Sequence, residues 1–101
     1  MKKITLITTV SLLIAAPAIQ AGDAKAGKTK AVVCTACHGP EGKSNNTMWP
    51  NLAGQQKGYL IKAMKDFRDG KRNDPLMTPM AKPLSDEDIE NLAEYFSGLG
   101  K

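Results

Sequence analysis

Both cysteines and the single histidine of this 101-residue chain lie within five consecutive positions, Cys34-Thr35-Ala36-Cys37-His38. Thiol and imidazole groups set this closely act on one object: a metal ion, each other, or a bound group. The cluster also limits what the chain can fold into. A chain of this size buries a small core and commonly needs a disulfide, a metal or a bound cofactor to hold it. A bridge between cysteines three positions apart closes a trivial loop and removes almost no chain entropy. The staple of this fold is therefore something other than its own disulfide.

The first residues stand apart from the rest. A short basic start, Met1-Lys2-Lys3, leads into the apolar run "ITLITTVSLLIAAPAI", and the chain turns polar from Gln20. That order is the layout of a secretory signal peptide, with the cut expected after Ala21 and, as second choice, after Ala18. Pro17, Gln20 and three threonines weaken the alternative of an uncleaved membrane anchor. Export to the bacterial periplasm is expected, with no stable membrane insertion after cleavage. Removing residues 1–21 from 101 leaves 80, a single domain over 22–101, and takes away Lys2 and Lys3, so the net charge falls from +4 to +2. The basic balance is thus partly an address label and gives no support to nucleic-acid binding.

Asp23 is placed to cap a helix through "AKAGKTKAVVCTAC", with Ala24, Gly27, Ala31 and Cys34 on one side. Gly39, Pro40 and Gly42 end it, and "GKSNNTMWPN" reads as an irregular loop. Tyr59, Leu60, Ala63, Met64 and Phe67 then recur at helical spacing, and Gly70 sits where a C-cap belongs. The stretch "NDPLMTPMAKP" carries three prolines and reads as extended or turned. Ser85 opens a last helix with Asp88 three positions on, and Ile89, Leu92, Ala93 and Phe96 make its apolar stripe. Lysines and arginines gather between Lys57 and Arg72 and carboxylates between Asp86 and Glu94, each run reading as a solvated helix face. No stretch alternates with a period of two. The fold class expected is small and all-α.

Three chemistries compete for the cluster. Structural zinc wants four nitrogen or sulfur ligands, and the chain supplies two cysteines and one histidine. A thiol–disulfide oxidoreductase using Cys34 and Cys37 suits an exported protein, but that chemistry normally sits on a strand-to-helix turn and no strand is read here. Cys-x-x-Cys-His is also the attachment signature for c-type haem. On one helical turn Cys34 and Cys37 lie on the same side, each able to form a thioether with a haem vinyl group, and His38 follows as proximal iron ligand. One covalent haem c, with its iron, explains why all three residues sit together and what staples the domain.

The chain also resembles the class I bacterial cytochromes c, both the small monohaem electron carriers and one half of the dihaem forms. The resemblance covers residues 22–101 and is carried by "GDAKAG", "CTACHGPEG", "WPNLAGQ", "YLIKAMKDFRDGKRND" and "MTPMAKPLSDEDIENLAEYFSGL", in that order. It implies a class I cytochrome c fold, with helices wrapped around the haem.

With one histidine in the chain, methionine sulfur is the remaining common strong-field sixth ligand. Met48 is too near His38 in sequence, and Met64 lies on an apolar helix stripe where a core role suffices. Met77 and Met80, both on the proline-bounded stretch, remain, and composition does not separate them. The resemblance selects Met77, the first methionine of a Met-x-x-Met segment. It also implies that the Pro50 carbonyl holds the second nitrogen of His38. A haem with His38 and Met77 as axial ligands has no vacant position, which points to a single-electron carrier and not an enzyme. The resemblance implies a quinol-oxidising complex or dehydrogenase as donor and a terminal oxidase or reductase as acceptor, met by a monomer. An open-site haem sensor or peroxidase is the alternative if neither methionine binds.

Overall fold

The computed structural model describes residues 2–11 and 22–100. The expected cleavage sites after Ala18 and Ala21 lie outside the described residues. No helix among the described residues is long and apolar enough to cross a membrane.

Five helices follow in order: α1 (Ala24–Lys30), α2 (Val32–His38), α3 (Lys57–Arg68), α4 (Met77–Ala81) and α5 (Asp86–Gly98). Among the described residues there is no strand, in agreement with the all-α expectation. Asp23 caps α1 as expected, its carboxylate accepting the amides of Lys25 at 2.9 Å and Ala26 at 3.2 Å. The single first helix of the sequence reading is in fact two. Ala31 closes α1 and opens α2, and its carbonyl accepts amides from both Cys34 and Thr35. Ala31 is packed into the core at 1% exposure, and the β-branched pair Val32-Val33 follows, which weakens helix propensity at that junction.

At α5 the capping box forms in full. Ser85 Oγ accepts the Asp88 amide and the Asp88 carboxylate accepts the Ser85 amide, both at 3.0 Å. Its stripe Ile89, Leu92, Ala93 and Phe96 is buried throughout. With Ala31 and Leu60, the last three of these make the central cluster, against which Cys34, Leu52, Ile61, Met64 and Leu84 pack. Tyr59, counted in the α3 stripe from spacing, is half exposed instead, at 52%. The stripe of α3 thus starts one residue later, at Leu60.

Two packings place α5. Gly27 lets α1 cross it in backbone contact, because a Cβ there would lie 2.0 Å from the Asn91 carbonyl oxygen. Against α3, ion pairs set the direction. Lys57 at the start of α3 reaches Glu94 at 2.9 Å and Glu90 at 3.6 Å, while Arg68 at its end reaches Asp86 at 2.7 Å. The helices therefore run antiparallel. The basic and acidic runs that read as separate solvated faces are partly spent on each other, and the Arg68 guanidinium holds the Asp86 carboxyl below its ordinary range.

Candidate haem site

All three clustered residues ride on α2, and α2 stands off from most of the molecule. None of its Cα atoms comes within 8 Å of a Cα in α3, α4 or α5. Cys34 is half-buried against the core cluster, Cys37 is exposed, and His38 is buried at 6% exposure. Three positions apart on a helix, the two cysteines share a side. Burial pushes the Cys34 thiol pKa up. A dithiol oxidoreductase needs the opposite shift, commonly supplied by a free helix N-terminus, whereas α2 runs directly on from α1. This weighs against disulfide exchange at Cys34.

His38 Nδ1 lies 2.7 Å from the Pro50 carbonyl oxygen. A carbonyl can only accept, so Nδ1 carries the proton and a neutral ring keeps its lone pair on Nε2. The loop that delivers Pro50 is pinned on both sides. The Gly42 carbonyl accepts the amides of Leu52 at 2.8 Å and Ala53 at 3.0 Å, and Asn51 Oδ1 accepts the Ser44 amide at 2.6 Å. Gly42 has φ +71°, and a Cβ there would meet Ala53 N at 2.9 Å and the Phe96 ring at 3.1 Å. Only glycine lets this loop close onto the core.

Environment separates the methionines where composition does not. Met48 is 81% exposed, Met64 packs on the core cluster as its stripe position implies, and Met80 is 43% exposed. Met77 is half-buried and begins α4. The stretch expected to be extended or turned is turned on both flanks, at 75–76 and 82–83, but carries a short helix between them. Its Pro79 falls in the first turn, where the missing amide costs no helical bond. Asp74 makes this turn possible, accepting the amides of Met77 at 2.8 Å and Leu76 at 2.9 Å. These bonds hold the Asp74 carboxyl below its ordinary pKa. The sequence reading passed over Asp74 and Thr78. The available signal was an aspartate three positions ahead of a proline-bearing first turn.

Cys34, Cys37 and His38 on α2 and Met77 on α4 are the side chains that would hold a haem. The helix bearing the thiols and imidazole and the helix bearing Met77 have no Cα atoms within 8 Å of each other, and Cys34 packs against the apolar cluster built on α3 and α5. A surface cavity of ≈ 520 Å³ beside Lys28, Glu41 and Tyr95 is lined by none of these residues.

The cytochrome c family profile matches residues 24–100. Cytochrome c-554(548) of Halomonas halodenitrificans is 51% identical over 80 residues, covering 76% of this chain and 96% of that protein. The thiosulfate dehydrogenase electron acceptor of Thiomonas intermedia is 40% identical over 101 residues, covering 98% of this chain and 45% of that protein. The crystal structure of reduced recombinant cytochrome c4 from Pseudomonas stutzeri aligns with a TM-score of 0.74 at 44% identity, over 78% of this chain and 46% of that one. The chain thus spans about half the length of these two larger relatives and nearly all of the smaller one. Profile, identity and superposition agree with the cluster on α2: the chain belongs to the cytochrome c family, whose domain implies a covalent haem c.

Proposed function

We propose that residues 22–101 are a periplasmic single-electron carrier holding one covalent haem c, with residues 1–21 as its cleaved signal peptide. In this reading Cys34 and Cys37 supply the thioether sulfurs, His38 the proximal imidazole, Met77 the sixth ligand, and Pro50 the carbonyl that orients His38. Haem c supplies one-electron chemistry at its iron when bound. The rest is the work of this chain. The observation that carries the reading is the 2.7 Å bond from His38 Nδ1 to Pro50, because it fixes the tautomer and frees Nε2 for a metal. A His/Met ligand pair raises the reduction potential, and two protein ligands leave no position for substrate. That favours a carrier over an enzyme.

Redox proteins are the partners this implies, with a quinol-oxidising complex or dehydrogenase as donor and a terminal oxidase or reductase as acceptor. The name of the Thiomonas relative supports a dehydrogenase donor. Transient docking needs only a small, polar-rimmed contact, and a monomer suffices for it.

The test is a visible spectrum of oxidised and reduced protein, exported through a host with cytochrome c maturation machinery and repeated after acid–organic extraction. Low-spin haem bands that stay with the polypeptide are expected. A colourless protein with two titratable thiols would refute the reading in favour of disulfide chemistry. Rapid carbon monoxide binding by the reduced protein would point instead to an open-site sensor or peroxidase.

A further inference from the structure

Helix α4 has five residues, too few to be stable on its own hydrogen bonds. Its conformation is set by what grips it from outside. Asp74 Oδ1 accepts the amides of Met77 at 2.8 Å and Leu76 at 2.9 Å. Thr78 Oγ1 accepts the Asp74 amide at 2.9 Å, and the Thr78 amide donates to the Asp74 carbonyl at 3.1 Å. The Thr78 hydroxyl also lies 3.4 Å from the Arg72 carbonyl, and the Arg72 guanidinium sits 4.4 Å over the ring of Phe67, buried near the end of α3. Two residues on either side of Met77 are thus bonded reciprocally, and the pair is moored to α3.

We infer that Asp74 and Thr78 form a clasp that fixes the backbone of Met77 and so aims its sulfur, making both of them positioning residues for the sixth ligand. The inference rests on Met77 being that ligand. The side chain of Met77 has three free torsions, so only its backbone can be held in advance. When the clasp is open, the sulfur leaves the iron more often, and the exposed Met80 or an added ligand gains access.

The probe is imidazole added to ferric holoprotein. It binds where the methionine has left, so its apparent Kd reads the balance between Met77-bound and Met77-free protein. Losing a capping acceptor of this kind shifts such a balance by roughly fivefold. Asp74→Ala is expected to lower the apparent Kd by about that factor. Asp74→Asn keeps an acceptor oxygen and is expected to behave as wild type. Thr78→Val is expected to lower the Kd and Thr78→Ser to restore it. Ser85→Ala removes a comparable cap from α5, outside the hydrogen bonds that hold α4, and is expected to lower the Tm and leave the Kd unchanged.

Wild-type affinity in both Asp74→Ala and Thr78→Val would overturn the clasp, as would an equal shift in Ser85→Ala. If Asp74→Ala yields no holoprotein, Thr78→Val decides by the same criterion. Met77→Ala separates the two levels. Should it bind imidazole no tighter than wild type, the ligand assignment falls and the clasp with it. Should it bind tighter while the clasp variants do not, the clasp alone falls.

Discussion

Gly27→Ala sets two effects of one methyl group against each other. In a helix, alanine is better than glycine by about 1 kcal/mol, so propensity alone favours the change. At Gly27 the added Cβ would lie 2.0 Å from the Asn91 carbonyl oxygen, 2.6 Å from its carbon and 2.9 Å from Tyr95 Cβ. Ordinary contact begins near 3.4 Å, so α1 and α5 would have to part by 3.4 − 2.0 = 1.4 Å. The obstacle is helix backbone, which cannot swing aside as a side chain can. Parting the helices also strains the Asp23 amide bond to Asn91 Oδ1, 2.8 Å long, and the Lys30–Asp88 pair at 3.5 Å. Overpacking costs typically about 1–3 kcal/mol and more when backbone must move. The clash wins, for a net loss of about 2 kcal/mol. In a domain of this size that lowers Tm by roughly 8–16 °C. Gly58, in the first turn of α3, is the control: a Cβ there meets nothing within 4 Å, so Gly58→Ala is expected to hold or raise stability by up to about 1 kcal/mol. Guanidinium unfolding of the two holoproteins, followed by circular dichroism, makes the comparison. A Gly27→Ala midpoint at or above wild type, or the same sign for both variants, would refute the account of the α1–α5 crossing.

Three further outcomes are expected. Cys34→Ala with Cys37→Ala should leave a largely unfolded apo chain, since shielding several hundred Å² around the cofactor is worth on the order of 10 kcal/mol, comparable to a domain's whole stability; a cooperative melt with native helix content would contradict this. Met77→Ala should open the reduced iron to carbon monoxide while Met80→Ala leaves it closed, and the reverse pattern in the flash-photolysis traces would move the ligand to Met80. Asp88 has a pKa lowered first by the Ser85 amide and further by Lys30, so its contribution is full above the ordinary carboxylate pKa and is lost as pH falls through the depressed one; Asp88→Asn should flatten that part of the acid stability curve, and an unchanged slope in acid titrations would remove the capping box as its cause.

Local rules carried most of the reading, and its failures have two origins. Asp23, Ser85 with Asp88, Gly70 and the α5 stripe announce themselves because a cap or a stripe is decided within one or two turns of chain. Part of what the chain spacing hid was decided by partners far away, and part by a local cap at Asp74 that went unread. The break at Ala31 comes from its packing against Leu60 and Leu92, more than twenty-five residues on. The stretch around Met77–Ala81 read as extended or turned because of its prolines, and Asp74 and Thr78 supply the bonds that allow a helix there. The charge runs looked solvent-facing because nothing in a linear sequence says that Lys57 will meet Glu94.

The division between the parts that pack well and the parts that do not is itself informative. Helices α1, α3 and α5 are fastened to one another by the Gly27 crossing, by the Leu60–Leu92–Phe96 cluster and by ion pairs at both ends of the α3–α5 contact. The two helices bearing the proposed ligands are not fastened in that way: at the level of Cα atoms within 8 Å, α2 approaches no helix but α1, and α4 none but α3. A scaffold that held all five helices tightly would leave no room between His38 and Met77 for a flat group. One that held none would not fix the distance across it. In the proposed site local hydrogen bonds, the Pro50 carbonyl on His38 and the Asp74–Thr78 pair on Met77, would resolve that conflict by orienting each residue from its own side. A haem bound there would contribute most to the fold at the weakly packed helices and least at the strongly packed ones.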